Sequence, residues 1–204
     1  MRWLLLAGAV LLGGISACGN PDARAADAGG EASGPARVVD SLLPREEALR
    51  RFREGLPPAD SLTGGAVSRH KLVESFLRAL GAADTTAIVE LAITRPEFAY
   101  LYYPTAAQGL PPYDLEPGLM WFMLFEKSNQ GIRNALQVHG GRPMRLLDYD
   151  CGAAALEEGE NRIYGPCVVR WRGESDDTGS AQLLGQIVER GGRFKVLSYA
   201  NKLR

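Results

Sequence analysis

The sequence has few of the residues from which most catalytic and metal centres are built. It contains only two histidines and three cysteines, and neither type occurs at the spacing of metal ligands. It has no Walker loop, GxSxG elbow, HExxH pair or serine-triad pattern. We therefore expect no metal ion and no cofactor, and a binding function is more strongly indicated than an enzymatic one.

The sequence also lacks an excess of charge of either sign. It carries 23 basic and 24 acidic residues, which gives a net charge of −1, and the two signs are interspersed along the chain. A nucleic-acid-binding stripe or a polybasic membrane patch requires clustered Lys and Arg residues. We therefore expect no nucleic-acid partner.

The apolar run near the N-terminus is too short to span a bilayer comfortably, because a transmembrane helix needs about 20 apolar residues. It covers residues 3–14, follows Arg2 and is followed by two small residues that precede Cys18. A basic start, a short apolar region and small residues at a cleavage site are typical of an export signal. The first residues are therefore predicted to direct export rather than to fold.

This pattern resembles a bacterial lipoprotein signal peptide, in which signal peptidase II cuts before the cysteine and the thiol carries diacylglycerol. The resemblance implies a signal peptide over residues 1–17 and lipidation of Cys18. It also implies an extracytoplasmic protein. In a bacterium with two membranes, the outer membrane facing the periplasm is favoured, because Gly19 is not the aspartate that in many bacteria resembles an inner-membrane retention signal; in a bacterium with one membrane, the domain faces outside. The alternative is an ordinary secretory signal in which Cys18 has no role.

Residues 18–41 are predicted to link the anchor flexibly to the rest of the chain. They are rich in Ala, Gly, Asp and Pro, with hardly any large apolar residue before Val38. Such a composition cannot bury enough surface to offset the entropy of ordering, and a flexible linker of roughly 20–25 residues reaches about 25 Å. Residues 42–204 have the length of one ordinary domain and are expected to fold as one.

Cys151 and Cys167 are the cysteines left for a disulfide bond in an exported protein. Folding the chain back around Gly159 places them opposite each other and pairs three further sets of residues: Tyr149 with Val169, Leu147 with Trp171, and Asp148 with Arg170. One face of this hairpin is then apolar throughout, and the other carries a favourable charge pair. Two free thiols for metal or redox chemistry are the alternative, but no CxxC motif or neighbouring histidine supports them.

Helices are predicted in the first half of the domain, over about residues 44–56, 68–80, 84–92 and 117–139. Apolar residues recur at helical spacing in each of them. Gly81 is expected to cap the end of the second helix, and Asp84 or a neighbouring threonine the start of the third. Residues 119–125 are apolar on every side, which implies a helical turn that is buried all round.

Strands are predicted in the second half, over about residues 144–150, 168–172, 181–190 and 193–200. Gly191-Gly192 favours a two-residue hairpin turn, because both positions can take positive φ. The same register makes two cross-strand pairs: Ile187 with Val196, and Leu184 with Tyr199. Helices followed by consecutive antiparallel strands indicate an α+β fold, with N-terminal helices packed on an antiparallel sheet.

Two segments of this domain resemble a known superfamily. The run of residues 72–80, followed by Ala83-Asp84 and Leu91, is similar to the opening helices of the superfamily of nuclear transport factor 2, ketosteroid isomerase and SnoaL-like cyclases, and residues 192–199 are similar to its last strand. The resemblance implies a cone-like fold, in which helices wrap around a strongly curved sheet whose concave face forms a pocket. The catalytic carboxylates of the isomerases and cyclases cannot be placed on any residue here.

Four titratable residues are weak candidates for acid–base chemistry. His70 lies at a predicted helix start and His139 at a helix end, where solvation, capping or a favourable interaction with the helix dipole is the simpler interpretation. Asp148 and Asp150 share one face of a predicted strand. If that face lines the concave pocket, Asp148 is a candidate general base with a pKa raised by burial. On the opposite face, both are surface ions near Arg170.

The tyrosine segment, residues 97–113, is the most unusual part of the domain. Its tyrosines and a tryptophan on the following helix are candidates for a ligand or partner surface: Tyr100, Tyr102, Tyr103, Tyr113 and Trp121. Tyrosine combines a rigid apolar ring with a polar tip, which suits a binding surface. The alternative is a proline-stiffened loop whose tyrosines complete the core.

Three functional classes follow from these predictions. The first, which we favour, is a lipid-anchored binding or assembly module that holds an apolar small molecule, an envelope component or a protein partner. The second is an acid–base enzyme of the isomerase or cyclase type, which requires a carboxylate or a histidine inside the cone. The third is a structural envelope protein with a filled, ligand-free cone.

Overall fold

The computed structural model describes residues 43–152 and 155–203. The predicted signal peptide, Cys18 and the predicted linker lie outside these residues. The described chain has an α+β fold in which helices precede two antiparallel sheets. The helices are α1 (Arg45–Arg53), α2 (Arg69–Gly81), α3 (Thr85–Glu90), α4 (Arg95–Glu97) and α5 (Pro117–His139). The strands are β1 (Arg145–Asp150), β2 (Leu156–Glu158), β3 (Asn161–Tyr164), β4 (Cys167–Arg172), β5 (Thr178–Leu184), β6 (Gln186–Arg190) and β7 (Arg193–Ser198).

Helix α1 begins where the sequence predicts but ends earlier, at Arg53 rather than near residue 56. Glu47 accepts hydrogen bonds from both Arg50 and Arg51, each with an N–O distance of 2.7 Å. These pairs lie on an exposed helix face, where ion pairs contribute little to stability. The buried residues of α1 are Ala48, Leu49 and Phe52, so its position depends on packing.

Helix α2 has the apolar stripe that the sequence predicts. The Ser68 hydroxyl accepts a hydrogen bond from the Lys71 amide at 3.2 Å and so caps its first turn. Five stripe residues are at most 1% exposed: Leu72, Val73, Phe76, Leu77 and Leu80. The prediction that Gly81 caps the helix end is wrong, because Gly81 lies inside the last turn and Ala83 takes the positive φ of 54°. A Cβ atom at Gly81 would lie 3.0 Å from the carbonyl oxygen of Arg142, so close packing explains this glycine.

Helix α3 is capped by Asp84, as expected, since its carboxylate accepts a hydrogen bond from the Ala87 amide at 2.9 Å. Much of the tyrosine segment that follows is helical. Thr94 and Glu97 form a reciprocal capping box that starts α4. The chain then continues through a π-helical turn at Phe98–Tyr102 and two short 3₁₀ turns, Tyr103–Thr105 and Ala107–Gly109.

The two sheets have the strand orders β1-β4-β5 and β2-β3-β6-β7. The predicted strand over residues 181–190 is divided at Gly185, where the chain passes from the first sheet to the second. The expected pairing of Leu184 with Tyr199 is wrong, because the register shifts by one residue between Ile187 and Gln186, which pairs with Ser198. The expected pairing of Ile187 with Val196 is confirmed.

The two turn glycines between β6 and β7 take the expected backbone conformation, because Gly191 and Gly192 have φ values of 57° and 74°. Residues without a Cβ atom adopt this left-handed region at little cost. The Gly191-Gly192 hairpin turn is therefore confirmed.

A disulfide bond joins Cys151 to Cys167, as predicted. Two of the three expected cross-strand pairs are present, Tyr149 with Val169 and Asp148 with Arg170. The third is wrong, because a bulge at Leu147 places Leu146 opposite Trp171 and leaves Leu147 exposed. A bulge adds one residue to a strand and reverses which side chains face the core.

Two hydrophobic clusters form the interior of the described chain. The first contains the stripe of α2, the disulfide and residues of β4, β5 and β6. The second contains α1, the tyrosine segment and residues of α5, β3, β6 and β7. Residues of β6 and β7 contribute to both clusters, so the second sheet connects them.

Candidate functional site

The first turns of α5 expose large apolar side chains, although the sequence predicts that they are buried all round. We call four of them the α5 apolar face: Leu119 (49% exposed), Phe122 (59%), Met123 (41%) and Phe125 (49%). The prediction is wrong because residues 43–152 and 155–203 contact α5 on one side only. The buried residues of this helix are Pro117, Met120, Gly131 and Ala135.

The middle of α5 is held against the end of β7 by unusually close contacts. A Cβ atom at Gly131 would overlap the carbonyl oxygen of Tyr199. The Asn201 side-chain amide donates a hydrogen bond to the Gly131 carbonyl at 2.6 Å, and the Tyr199 amide donates one to the Ser128 hydroxyl at 3.2 Å. These contacts fix the rotation of α5 about its axis and thereby the direction of the α5 apolar face.

Trp121 connects the α5 apolar face to the interior. Its ring lies 5.2 Å from the ring of Phe98, which is fully buried, and 6.2 Å from the ring of Phe125. Aromatic pairs at these distances stabilise by about 0.5–1.5 kcal/mol beyond the area that they bury. Trp121 therefore connects the exposed ring of Phe125 to the packed core.

The described chain begins next to the start of α5. Leu43 lines a small pocket of about 200 Å³ together with Ala48, Tyr103, Asp114 and Glu116, and the last two lie within three residues of the start of α5. Arg45 fixes this region, because its guanidinium donates hydrogen bonds to the carbonyls of Pro104 and Gly109 at 2.8 and 2.7 Å. The first described residues therefore lie near the start of α5.

The structure separates the residues predicted to form a tyrosine surface. Tyr102 and Tyr103 are buried, so the alternative in which tyrosines complete the core applies to these two. Burial, together with the nearby negative charge of Glu158, raises the pKa of the Tyr102 hydroxyl. Tyr100 is half-buried beneath the guanidinium of Arg53, which lies 4.5 Å from its ring centre. Tyr113 is 71% exposed.

The turn between β2 and β3 holds the tyrosine segment in place. The Asn161 side chain donates a hydrogen bond to the Leu101 carbonyl at 2.8 Å, and the Thr105 hydroxyl donates one to the Glu158 carbonyl at 2.8 Å. The Glu158 carboxylate also accepts a hydrogen bond from the Ala107 amide at 3.0 Å. Because these contacts join residues more than 50 positions apart, local sequence patterns do not reveal them.

The four acid–base candidates do not come together in one site. His70, Asp148 and Asp150 are exposed, and Asp148 lies opposite Arg170 as the surface-ion interpretation predicts. His139 is half-buried, with its ring 4.9 Å from the ring of Trp171. Burial and the nearby positive charge of Arg142 lower the pKa of His139, so its imidazole is neutral at neutral pH.

The strongest electrostatic feature, which we did not predict, is a buried ion pair between Glu97 and Lys195. The Lys195 ammonium lies 2.8 Å from Glu97 Oε2 and also donates to the Thr63 carbonyl at 3.0 Å. Burial alone would raise the pKa of Glu97, but hydrogen bonds from Lys195, Thr63 and Thr94 outweigh it and lower that pKa.

Lys195 makes one further hydrogen bond, to Glu97 Oε1 at 3.2 Å, so its three protons are all committed within the fold. An ammonium group has three donors, and none remains for a substrate. We therefore assign this pair a structural role. The Thr94-x-x-Glu97 capping-box pattern is visible in the sequence, but the partner of Glu97 lies 98 positions away.

The described residues contain neither a metal-binding cluster nor a membrane-spanning helix. No group of three or more His, Cys, Asp and Glu side chains in the described ranges is placed to hold a metal ion. Among the helices of residues 43–152 and 155–203, none combines the length and apolar composition needed to cross a bilayer.

Comparison of the chain with protein-family models, with curated proteins and with solved structures finds no match. We therefore infer function from the sequence pattern and from the geometry of the site.

Proposed function

We propose that this chain is a lipid-anchored extracytoplasmic binding or assembly module that acts through the α5 apolar face. The main observation that supports this proposal is that four large apolar side chains lie together on the solvent side of one helix. The largest apolar patch of a soluble monomer is typically about 300–600 Å² and is often functional. A fixed, aromatic-rich surface of this kind suits contact with another apolar surface better than it suits a chemical reaction.

Two features support the extracytoplasmic location. The Cys151–Cys167 disulfide is of the kind that persists in oxidising compartments such as the periplasm. The N-terminal sequence has the lipoprotein signal pattern with Cys18 at the expected cleavage site. We propose that residues 1–17 are removed, that Cys18 is lipidated, and that the protein resides on the outer membrane facing the periplasm.

Metabolic labelling with a fatty-acid analogue tests the anchor. Wild-type protein should incorporate the label, Cys18→Ser should lose it, and Cys151→Ser should keep it as a matched control in which a different cysteine is removed. Intact-mass analysis should show that residues 1–17 are absent from the labelled protein. Unlabelled cytosolic protein that retains these residues would contradict the proposal.

A photo-crosslinking residue placed at position 122 tests the binding role in intact cells. The matched control places the same residue at Val89, an exposed apolar side chain on α3. We expect an envelope component, lipid or protein, to crosslink from position 122 at least several times more strongly than from position 89. Equal crosslinking at both positions would indicate nonspecific contact and would contradict the proposal.

We also propose that the two sheets form the curved, cone-like surface that the superfamily resemblance implies. Support comes from Gly185, which lies between β5 of one sheet and β6 of the other and donates its amide proton to the Ser198 carbonyl at 2.8 Å. A glycine at such a position allows a tight bend between strands. An experimental structure in which both sheets are flat would contradict this arrangement.

Side chains of helices and strands fill the interior of the second cluster, including Phe98, Tyr102, Tyr103, Ile163 and Leu197. This packing supports contact at the outer surface rather than in an enclosed pocket. The enzyme alternative now depends on His139, the one half-buried residue among its four candidates.

A further inference from the structure

The α5 apolar face is confined to one end of its helix. The face occupies positions 119–125, and the exposed residues of the next turns are polar or charged, among them Glu126, Lys127, Gln130 and Arg133. A helix with an apolar stripe along its whole length would suit a partner helix of similar length. A short apolar end suits a partner that contacts the domain at one point.

The chain that precedes the described residues reaches the domain at this same end. Leu43 lies beside Asp114 and Glu116, which are within three residues of the start of α5. If Cys18 is lipidated, roughly 25 residues separate the anchor from Leu43, and a flexible linker of that length would reach about 25 Å. The anchoring membrane is then the apolar surface most accessible to the α5 apolar face.

The size of the face argues against a second copy of the chain as its main occupant. Four side chains that are about half exposed offer on the order of 300–400 Å², given about 150–250 Å² for a large aromatic side chain. A stable interface between free proteins needs about 800 Å² on each partner. A tethered surface needs less, because a short linker gives it a millimolar effective concentration.

The charges around the face indicate which lipid surface it fits. Asp114, Glu116 and Glu126 are exposed near it, and the cations beside them are Lys127 and the partly buried Arg45, which shares a pocket with Asp114 and Glu116. Anionic headgroups attract clusters of basic residues and repel acidic ones. Tryptophan is enriched at membrane interfaces and phenylalanine on the apolar face of helices that lie in them, so a zwitterionic phospholipid surface is the complementary partner.

We propose that the α5 apolar face inserts into the interfacial region of the zwitterionic lipid surface in which the Cys18 anchor is held. This inference rests on the proposed lipid anchoring. The anchor keeps the protein at the membrane, and Leu119, Phe122, Met123 and Phe125 set its orientation there.

Quenching of tryptophan fluorescence by brominated lipid tests the insertion. The full-length lipidated protein is reconstituted into phosphatidylcholine vesicles with brominated acyl chains, as the wild type and with Phe122→Trp or Val89→Trp. We expect the added tryptophan at position 122 to be quenched at least threefold more than that at position 89. Leu119→Trp provides a second probe of the same face, and circular dichroism checks that each variant is folded.

Replacing one third of the phosphatidylcholine by phosphatidylglycerol at low salt should reduce quenching at position 122, because the flanking carboxylates are repelled. Equal quenching at positions 122 and 89 in vesicle-bound protein would overturn the inference and leave the anchor intact. A position-122 tryptophan that is shielded but unquenched would overturn it in favour of a second copy or residues 36–42 as the occupant. Wild-type protein that does not float with vesicles would overturn the anchoring proposal, and this inference with it.

Discussion

Helices α2 and α5 carry similar sets of large apolar residues but use them differently. All five stripe residues of α2 are at most 1% exposed, whereas the four residues of the α5 apolar face are 41–59% exposed. The other elements of the described chain cover the whole apolar stripe of α2. The apolar surface of α5 is wider than its contact with the core, and the excess is available to another partner.

The largest expected loss of stability comes from removing one partner of the buried Glu97–Lys195 ion pair. Lys195→Met should lower the free energy of unfolding by about 3–5 kcal/mol, because Glu97 remains buried without its partner. The matched control is Lys71→Met on the exposed side of α2, which breaks a surface pair with Glu74 and should cost far less, because solvent screens exposed ion pairs. Urea denaturation measures both, and equal losses would contradict the contrast.

The pH dependence of stability should identify the same carboxylate. Folding lowers the pKa of Glu97 below its ordinary value of 4.5, so its contribution is present above about that pH and is lost as the pH falls through the folded-state value. Glu97→Gln should therefore be less stable than the wild type at pH 7 and should lose less stability on acidification from pH 5.

Truncating one leucine on each helix compares them directly. Leu77→Ala on α2 should destabilise the fold by about 2–5 kcal/mol, because it removes buried volume and leaves a cavity. Leu119→Ala on α5 should change the free energy of unfolding by less than about 0.5 kcal/mol. Both values come from the same denaturation experiment. A large loss for Leu119→Ala would mean that the α5 apolar face is part of the core.

The disulfide stabilises the cluster that contains the α2 stripe. Its cysteines are 16 positions apart, and closing a loop of about 15 residues contributes roughly 3 kcal/mol in the chain-entropy model. Cys151→Ser should therefore lower stability by about that amount. Cys18→Ser should leave the unfolding of the domain unchanged, because the proposed role of Cys18 is to carry the lipid anchor. An unchanged midpoint for Cys151→Ser would contradict the expected role.

The smallest expected loss of stability comes from two glycine substitutions that compare the packed and the open part of α5. Gly131→Ala should cost about 1–3 kcal/mol, the range for overpacked sites, because the new methyl group meets the backbone of Tyr199. Gly118→Ala is the control on the same helix, where the nearest atom would be 4.0 Å away. It should be neutral or stabilising by up to about 1 kcal/mol, because alanine favours helix. Similar costs for the two variants would show that α5 is not fixed at Gly131.

Much of the fold was predictable because several of its signals are local. The apolar residues of α2 recur at helical spacing within 13 residues, and Gly191-Gly192 marks its hairpin by backbone preference alone. The pairing of Cys151 with Cys167 followed from agreement among neighbouring residues in one register. In each case the physical cause lies within a short stretch of chain.

The remaining features depend on neighbours that are distant in sequence. Whether residues 119–125 are buried depends on how much surface other elements offer to α5, which no periodicity within α5 specifies. The bulge at Leu147 and the division of the strand at Gly185 depend on register and on contact with other strands. The α5 apolar face was missed for the same reason. The residue types at positions 119–125 do not show whether these side chains face the core or the solvent.

The close contact between Gly131 and the backbone of Tyr199 determines how the domain can lie on a flat partner. Successive residues of an α-helix are about 100° apart around the axis, so turning α5 by one residue would drive a side chain into the backbone where only a glycine fits. The helix therefore cannot roll. The side chain of Phe122 therefore has a fixed orientation relative to both sheets. When a planar surface binds Phe122, the orientation of the whole domain on that surface is fixed as well.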